Sequence, residues 1–396
     1  MALQEVYPVP ASMALLDRFH AFQADMNNVL VERASTVELA LIALLSREHF
    51  LQLGSPGIGK TMLVDQLHAR IAGAKRFKKL LSASTVPDEL LGPVDLLEYA
   101  DNKRWVRHHA RSVVEAHLVF LDEVFKSNSV VLNLLLGIMN EREVDEIGAD
   151  TVLTVPLISL FGASNEIPED SGLRAFEDRF VLREIVQDIG DDTAFVRMLT
   201  TPKHVPPQAL LSLQDIYDGQ AAVEAVKGTN EVLQGIVTLR HQVSEAGIYV
   251  SPRRWFKALT LIKARAWLNG LPETTIEDMT VLANSLWTNP KERGAVERLV
   301  YQVACPLYLR ALEVEDQATE VFRSMPKQDA ADFHSQGENI LQQITDMHNV
   351  LYEAIQKSHA RDTARAVASL NKVKGYYKAV AAVLFENVSR LQLAGK

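Results

Sequence analysis

The segment 54–61 carries residues whose types and spacing suit the binding of phosphate groups. It fits the pattern G-x-x-x-x-G-K-[ST] at every fixed position, with the residues Gly54, Ser55, Pro56, Gly57, Ile58, Gly59, Lys60 and Thr61. Glycines let backbone N–H groups turn toward phosphate oxygens, and a helix starting after such a loop favours negative charge. We therefore expect these eight residues to bind a nucleotide, with Lys60 at the β- and γ-phosphates and Thr61 ligating Mg²⁺.

Two adjacent carboxylates follow a second apolar run, some sixty residues after the phosphate-binding loop. The run 118–121 ends in Asp122 and Glu123. Asp122 is expected to hold Mg²⁺, directly or through water, and Glu123 to polarise the water that attacks the γ-phosphate. The carboxyl ends of neighbouring parallel strands meet at one edge, where ligands bind. The loop and the carboxylates together therefore predict an ATPase site that uses ATP and Mg²⁺.

A third apolar run, 157–164, ends at Asn165. We expect this side chain to lie between the strand of the carboxylates and the phosphate-binding loop, where it can orient water near the γ-phosphate. The alternative is an asparagine that only forms a turn.

The elements that must position these residues alternate between strand-like and helix-like segments up to about residue 200. Because the strand-like runs are continuously apolar, they predict an α/β fold with a parallel sheet covered by flanking helices. The predicted strands are 50–53, 79–82, 118–122, 157–164 and 180–185. A helix is predicted up to about Ser46, with Ser35 or Thr36 as its N-cap, and the basic segment 75–79 is interpreted as a solvated loop.

Two proline-marked breaks divide the chain. The first is 201–207 and the second is 289–294. They predict a nucleotide-binding core with N-terminal helices over 1–200, an all-helical lid over 201–290 and a C-terminal helical region over 291–396. Apolar residues recur there at spacings of three and four, which favours a helical hairpin or bundle. Such a hairpin serves either as an arm that docks a partner or as a self-contained bundle.

Composition excludes several classes of protein. The 396 residues carry a net charge of −9 and a pI of about 5.7, which argues against non-specific nucleic-acid binding as the main activity. The single cysteine, Cys305, allows no disulfide within the chain and no cysteine-based metal site. The N-terminal residues lack the features of a signal peptide, and no apolar run is long enough to span a membrane. These features predict a cytoplasmic protein.

Five stretches together resemble the MoxR family of AAA+ ATPases, and most closely its regulatory ATPase variant A subgroup. They are GSPGIGKT (54–61), FLDEVFK (120–126), LLLGIMNER (134–142), ASNEIPE (163–169) and EDRF (177–180). The resemblance covers roughly residues 28–290. It implies an AAA+ P-loop core, in which the loop, Asp122 with Glu123, and Asn165 correspond to the Walker A, Walker B and sensor 1 elements.

The resemblance also implies roles for arginines that the residue pattern alone does not assign. Family members form rings, commonly hexamers, that hold ATP between subunits. Arg179 matches the arginine finger, which reaches the γ-phosphate of the neighbouring subunit, and Arg174 is a second candidate. The alternative for Arg179 is a surface ion pair with an adjacent carboxylate. Arg253 matches the sensor 2 arginine, which bends over the nucleotide from the lid, although Arg254 is an open alternative.

Two further segments have interpretations of their own. The sequence Ser251-Pro252 predicts a helix start, with Ser251 as the N-cap and proline in the first turn. Residues 85–92 resemble the family's segment that leads into an insert near the axial face of the ring. The stretch 94–106 that follows predicts a hairpin or a strand pair.

These observations predict an ATPase that cycles as a ring and remodels, activates or matures a partner protein. The resemblance implies a partner with a von Willebrand factor A domain and a chaperone-like role. One alternative is a nucleic-acid motor or helicase-loader-type ATPase, which a basic hairpin or a DNA-binding domain would favour. Another is an assembly scaffold that hydrolyses ATP slowly and binds through its C-terminal hairpin.

Overall fold

The computed structural model describes residues 14–145, 152–167, 171–200, 210–327, 332–358 and 363–394. Its strands are β1 Phe50–Leu53, β2 Ile71–Ala72, β3 Arg76–Leu80, β4 Leu118–Asp122, β5 Glu143–Val144, β6 Leu153–Thr154, β7 Ser159–Ser164, β8 Leu182–Ile185 and β9 Leu211–Ser212. Its helices are α1 Leu15–Val29, α2 Ala34–Ser46, α3 Lys60–Arg70, α4 Asp88–Leu91, α5 Leu96–Asn102, α6 Ser129–Glu141, α7 Arg174–Glu177, α8 Asp192–Thr200, α9 Leu213–Ala225, α10 Asn230–Glu245, α11 Pro252–Leu268, α12 Arg293–Ala304, α13 Pro306–Arg323, α14 Phe333–Lys357 and α15 Ala364–Ala394. Among these helices, none combines the length and apolar character needed to cross a bilayer.

Tertiary contacts divide the chain into two compact units. The first comprises residues 1–236 and 243–296, and the second comprises residues 237–242 and 297–396. The predicted break at 201–207 lies outside the described residues. Each unit has a buried apolar core.

The first unit is built on a parallel sheet with the strand order β3-β4-β7-β1-β8. All four strand pairings are parallel, and they include Leu51 opposite Gly162 and Phe120 opposite Phe161. The central strands β1 and β7 are buried along their whole length, as expected for strands covered on both faces. The prediction of an α/β core with a parallel sheet is confirmed.

The strand β3 begins earlier than the sequence predicted. It spans Arg76–Leu80, so most of the basic segment 75–79, which was interpreted as a loop, is a strand. The predicted strand 79–82 overlaps only the last two residues of β3. Because β3 lies at the edge of the sheet, it tolerates charged side chains that a central strand excludes. Phe77 is its one buried apolar residue, which left the pattern too weak to predict.

The predicted N-cap of α2 was wrong by two or three residues. The helix begins at Ala34, and its N-cap Arg33 makes no side-chain capping bond. The hydroxyl groups of Ser35 and Thr36 instead hydrogen-bond the buried carboxyl of Glu184. Burial raises the pKa of this carboxyl, and the two hydrogen bonds oppose this with a smaller effect. A tertiary partner thus replaces the local one that the sequence suggested.

The stretch 94–106 contains a short helix rather than a hairpin. Asp95 caps α5, because its Oδ1 accepts hydrogen bonds from Leu97 N at 2.9 Å and Glu98 N at 3.0 Å. A single antiparallel bridge, between Val94 and Arg107, closes the base of the segment. Local capping outweighs the strand pairing that the sequence predicted.

The remainder of the first unit is mainly helical. Ser251 caps α11, with its hydroxyl accepting a hydrogen bond from Arg254 N and Pro252 in the first turn, which confirms the predicted start. A 3₁₀ run, Ile276–Asn284, packs against α11. Trp287 follows this run and is fully buried.

The second unit contains α13, α14 and α15, which pack against one another. Helix α13 adds to the predicted hairpin of α14 and α15. The buried core takes residues from all three helices, namely Ala311, Val314, Ala318, Phe333, Ile340, Ile344, Leu351, Leu370, Val373, Val380 and Leu384. Phe322 stacks on Tyr376 beside this core, with ring centroids 4.9 Å apart. These helices therefore form a bundle with its own core.

Replacement of Ile344 by alanine is expected to destabilise the bundle by about 2–5 kcal/mol, because it removes buried methyl groups and leaves a cavity. The measurement is hydrogen exchange of the C-terminal helices in the whole chain, read by mass spectrometry. Val350→Ala on the same helix is the control, since Val350 is exposed and its loss is expected to cost less than about 0.5 kcal/mol. Equal loosening by both changes would contradict the assignment of the core.

Candidate active site

Three neighbouring strands bring the predicted nucleotide-binding residues to the carboxyl edge of the sheet. The phosphate-binding loop follows β1, Asp122 ends β4, and Asn165 follows β7. Since β7 lies between β4 and β1, Asn165 occupies the position between the carboxylates and the loop that the sequence predicted. The order and the parallel direction of these three strands are enough to bring the side chains together.

The loop has the backbone conformation that its glycines allow. Gly57 and Gly59 have φ angles of 85° and 87°, in the region that residues with a Cβ atom rarely adopt. Helix α3 begins at Lys60 with Gly59 as its N-cap. The strand, loop and helix therefore follow one another in the order that phosphate binding requires.

The Lys60 ammonium is held inside the loop. Its Nζ donates to the backbone oxygens of Gly54 and Ser55, the second at 3.0 Å, and to Asn165 Oδ1 at 3.1 Å. Burial lowers the pKa of Lys60, while the charges of Asp122 and Glu123 act in the opposite direction. Contact with a phosphate requires Lys60 to exchange at least part of these bonds for phosphate oxygens.

The Glu123 carboxylate is fixed from two sides. Its Oε1 accepts a hydrogen bond from Asn165 Nδ2 at 2.9 Å, and its Oε2 forms an ion pair with Lys126 at 3.2 Å. Its backbone has φ 50° and ψ 44°, which is uncommon for a residue other than glycine and is found at functional sites. Lys126 was not predicted as a site residue, because its spacing of three from Glu123 was its only local signal.

The candidate metal ligands have suitable chemistry. Asp122 supplies a carboxylate whose Oδ1 accepts a hydrogen bond from Glu123 N at 3.0 Å. Thr61 supplies a hydroxyl in the first turn of α3, a helix that packs against β4. Carboxylate and hydroxyl oxygens are the hard ligands that Mg²⁺ takes together with waters and substrate phosphates.

Arg179 lies at the opposite, amino edge of the sheet, because it precedes β8 by three residues. Its Nε donates to Asn140 Oδ1 at 2.8 Å, and a terminal nitrogen donates to the Ala175 oxygen at 2.9 Å. Asp178, which was the alternative partner for Arg179, pairs with Arg253 and Arg254 instead. The guanidinium of Arg179 is thus held by neutral acceptors, and no local pattern predicted the contact with Asn140.

The two adjacent arginines of α11 have different environments. Arg254 is 1% exposed and donates to the Trp287 oxygen at 2.8 Å and to Thr288 Oγ1 at 3.1 Å. Burial, with a smaller contribution from the charge of Arg183, lowers its pKa to about 9. Arg253 is partly exposed and pairs with Asp178 at 3.1 Å. Arg254 therefore anchors the helix, and Arg253 is the arginine with access to a ligand.

Arg253 also lies at the amino edge. One turn further along α11, Lys257 pairs with Glu48 at 2.7 Å, and Glu48 precedes β1. Arg253 pairs with Asp178, the residue before Arg179, so the two arginines are neighbours. Burial is the largest effect that lowers the pKa of Arg179, and the positive charge of Arg253 adds to it. The resemblance implies that Arg253 bends over the nucleotide from the lid, and this role stays a prediction; in the structure Arg253 lies on the same edge as Arg179.

The remaining candidate, Arg174, is exposed in the first residue of α7. The backbone oxygen of Arg174 accepts a hydrogen bond from Asp178 N. The structure thus brings together Lys60, Asn165, Asp122 and Glu123 at one edge and Arg179 with Arg253 at the other.

A phosphate-binding loop, paired carboxylates and an asparagine on three adjacent parallel strands, followed by a helical region, define a P-loop ATPase of the AAA+ class. The family model for the MoxR domain of the MoxR–vWA–β-propeller ternary systems matches residues 17–217. A second family model, for an AAA lid domain, matches residues 231–300. The chain belongs to the MoxR family of AAA+ ATPases.

Several individual proteins are similar to this chain. The chain is 35% identical to an uncharacterised protein of Methanocaldococcus jannaschii over 73% of its own length and 75% of that protein. It is 28% identical to chaperone MoxR1 of Mycobacterium tuberculosis over 40% of its own length and 41% of that protein. Its fold is similar to a solved structure from Cytophaga hutchinsonii, described as a candidate ATPase, with a TM-score of 0.59 at 18% identity over 73% of this chain and 95% of that one.

The family match does not extend to the finer subgroup that the sequence predicts. The matched family description refers to ternary systems with vWA and β-propeller components. It does not address the regulatory ATPase variant A subgroup, which stays a prediction.

Replacement of Arg254 by methionine is expected to destabilise the first unit by about 3–5 kcal/mol, because it removes one partner from a buried charge cluster. Arg253→Met is the matched control and is expected to change stability by less than about 1 kcal/mol, since that ion pair is exposed. Chemical denaturation of both full-length variants provides the measurement. Equal stability of the two variants would contradict the anchoring role of Arg254.

Proposed function

We propose that this chain is a Mg²⁺-dependent ATPase that assembles into a closed ring, commonly a hexamer in this family, and uses ATP hydrolysis to remodel or mature a partner protein. The observation that carries the proposal is the separation of two sets of residues. The carboxyl edge of the sheet holds Lys60, Asn165, Asp122 and Glu123, and the amino edge holds Arg179 and Arg253.

The strands between these edges make the separation large. A strand of four residues, such as β1 or β8, spans roughly 13 Å. One nucleotide phosphate cannot be contacted from both edges of the same sheet by short-range hydrogen bonds. The arginines therefore serve the nucleotide of a neighbouring copy, and both Arg179 and Arg253 act between subunits.

The proposed chemistry follows from the side chains. Lys60 exchanges its contacts with loop oxygens for the β- and γ-phosphates, and this releases Asn165 to orient the attacking water. Glu123 polarises that water. Thr61 and Asp122 hold Mg²⁺, which neutralises phosphate charge when bound. Arg179 of the next copy stabilises the charge that develops on the transferred phosphoryl group.

The proposed partner carries a von Willebrand factor A domain, and a β-propeller protein is a further component. The description of the matched family supports this, and the chaperone relative supports a role in remodelling. A candidate contact surface for such a protein is the exposed segment 94–107, which presents Leu96, Leu97, Tyr99 and Trp105 to solvent. Exposed aromatic and aliphatic side chains of this kind suit an apolar client segment.

The alternative of a nucleic-acid motor has less support. The basic residues of β3 are paired within the chain, Arg76 and Lys78 with Asp65, and Lys79 with Glu89. Segment 94–107 has acidic as well as basic residues. Neither provides the uncompensated positive charge that phosphate backbones require.

Asn140→Ala is expected to lower kcat for ATP hydrolysis by roughly 10- to 100-fold, because a misplaced catalytic group costs this much. KM for ATP is expected to change little, since Asn140 contacts Arg179 rather than the phosphate-binding loop. Steady-state kinetics of the assembled protein gives both constants. Glu141→Ala, at the neighbouring exposed position, is the control, and an equal loss of kcat there would contradict a positioning role for Asn140.

Glu123→Gln is expected to bind ATP without hydrolysing it and to retain the partner protein. The measurement is affinity capture from the native cell with ATP and Mg²⁺, followed by mass spectrometry and a nucleic-acid stain. A stoichiometric vWA-domain protein that is lost with Lys60→Ala supports the proposal. Recovery of nucleic acid without such a protein contradicts it. If cellular function persists in Glu123→Gln but not in Lys60→Ala, the chain is an assembly scaffold that hydrolyses ATP slowly and not a remodelling ATPase.

A further inference from the structure

We propose that Phe256 and Tyr249 form an apolar pad that packs against a second copy of this chain, beside the arginines that act between subunits. The docking site on that copy is the apolar rim next to its phosphate-binding loop. This inference rests on the proposed function and adds the contact surface through which one copy recognises the next.

Phe256 and Tyr249 are unusually exposed for aromatic residues. Phe256 is 80% exposed and Tyr249 is 73% exposed. Phe256 lies three residues after Arg253 on α11, so the two side chains project from the same side of the helix. Tyr249 lies two residues before Ser251, the N-cap of that helix. The aromatics therefore lie at the end of α11 that carries Arg253.

Charge complementarity indicates an anionic partner for this surface. Arg179 is held by neutral acceptors, and Arg253 shares Asp178 with the buried Arg254. Asp178 is therefore shared by Arg253 and Arg254, and Glu48, which lies near Arg253 on the same edge, already pairs with Lys257. A nucleotide in the phosphate-binding loop of another copy supplies the negative charge that this surface lacks.

The carboxyl edge offers the matching apolar surface. Four aliphatic side chains there are exposed, namely Met62, Leu80, Val86 and Val130. Met62 follows Thr61, Leu80 pairs with Asp122 across β3 and β4, and Val86 and Val130 lie in the segments that follow these two strands. Asn128, which caps α6, donates to the backbone oxygens of Ala83 and Thr85. This capping brings the start of α6, with Val130, next to the segment that carries Val86. We call these four residues the apolar rim.

The pad and the rim belong to opposite edges of one sheet, so they cannot cover each other within a chain. Two different patches that are complementary to each other generate a heterologous, head-to-tail interface, which forms a ring when the rotation between copies closes. Interfaces of this kind are enriched in Tyr, Phe and Arg at their centres. A central group of arginines flanked by two aromatics has this composition.

Cysteine cross-linking tests the pairing directly. Phe256→Cys and Val130→Cys chains are mixed with ATP and Mg²⁺ and treated with a short bifunctional thiol reagent. The native Cys305 is buried, and the unsubstituted chain measures its background. The expected result is a cross-linked dimer in the mixture and not in either chain alone. The control mixture is Tyr352→Cys, on the exposed surface of the second unit, with Val130→Cys.

Two outcomes overturn the inference. Dimer formation no greater than in the control mixture excludes the proposed contact, and cross-linking of Phe256→Cys with itself indicates a two-fold interface instead. Phe256→Ser gives an independent measurement: its thermal stability is expected to match the wild type, while its ATPase activity falls at low protein concentration and recovers as concentration rises. Concentration-independent activity would count against the pad.

The failure of this inference is distinguishable from failure of the proposed function. If wild-type ATPase activity depends on protein concentration and Phe256→Ser behaves identically, copies of the chain act together through another surface. In that case the proposed pad is wrong and the proposed ring is unaffected. If wild-type activity is the same at all concentrations and no cross-link forms, both proposals fail.

Discussion

The parallel direction of the central strands is the constraint on which the rest of the structure depends. Because β1, β4 and β7 run the same way, their carboxyl ends deliver the phosphate-binding loop, Asp122 and Asn165 to one edge. The crossover helix α6 must then return the chain to the amino edge, where its last turn presents Asn140 to Arg179. The same polarity that assembles the phosphate-binding edge therefore places Arg179 and Arg253 out of its reach.

A buried charge cluster fixes the amino edge. Arg183 pairs with Glu177 at 2.7 Å, and its guanidinium lies 5.6 Å from the centroid of the Trp287 ring. Burial lowers the pKa of Arg183, and the charge of Glu177 is the largest opposing effect. Such clusters are costly to desolvate, so their main consequence is a defined geometry when every member is paired. Here Arg254 joins the cluster, and this fixes α11 so that Arg253 stands next to Arg179.

The sequence predicted those parts of the site that depend on local patterns. The loop 54–61 has a fixed spacing, and the strand endings at Asp122 and Asn165 follow from apolar runs. Adjacent helical residues point about 100° apart, so nothing local separates Arg253 from Arg254. Their roles emerge only when α11 packs on the core. The contact of Asn140 with Arg179 joins two elements that no sequence pattern connects. The spacing of three between Glu123 and Lys126 is too common to predict their ion pair, and the polar edge strand β3 depends on its place in the sheet.

The most direct test of an ATPase site shared between subunits is complementation between two inactive chains. Arg179→Ala keeps an intact carboxyl edge, and Glu123→Gln keeps an intact amino edge. If Arg179 acts on the nucleotide of a neighbouring copy, mixing the two chains creates sites with Glu123 from one and Arg179 from the other. A shared site predicts that ATPase activity returns on mixing and is maximal when the two chains are present in nearly equal amounts. Mixtures that stay as inactive as the separate chains would contradict a site shared between subunits.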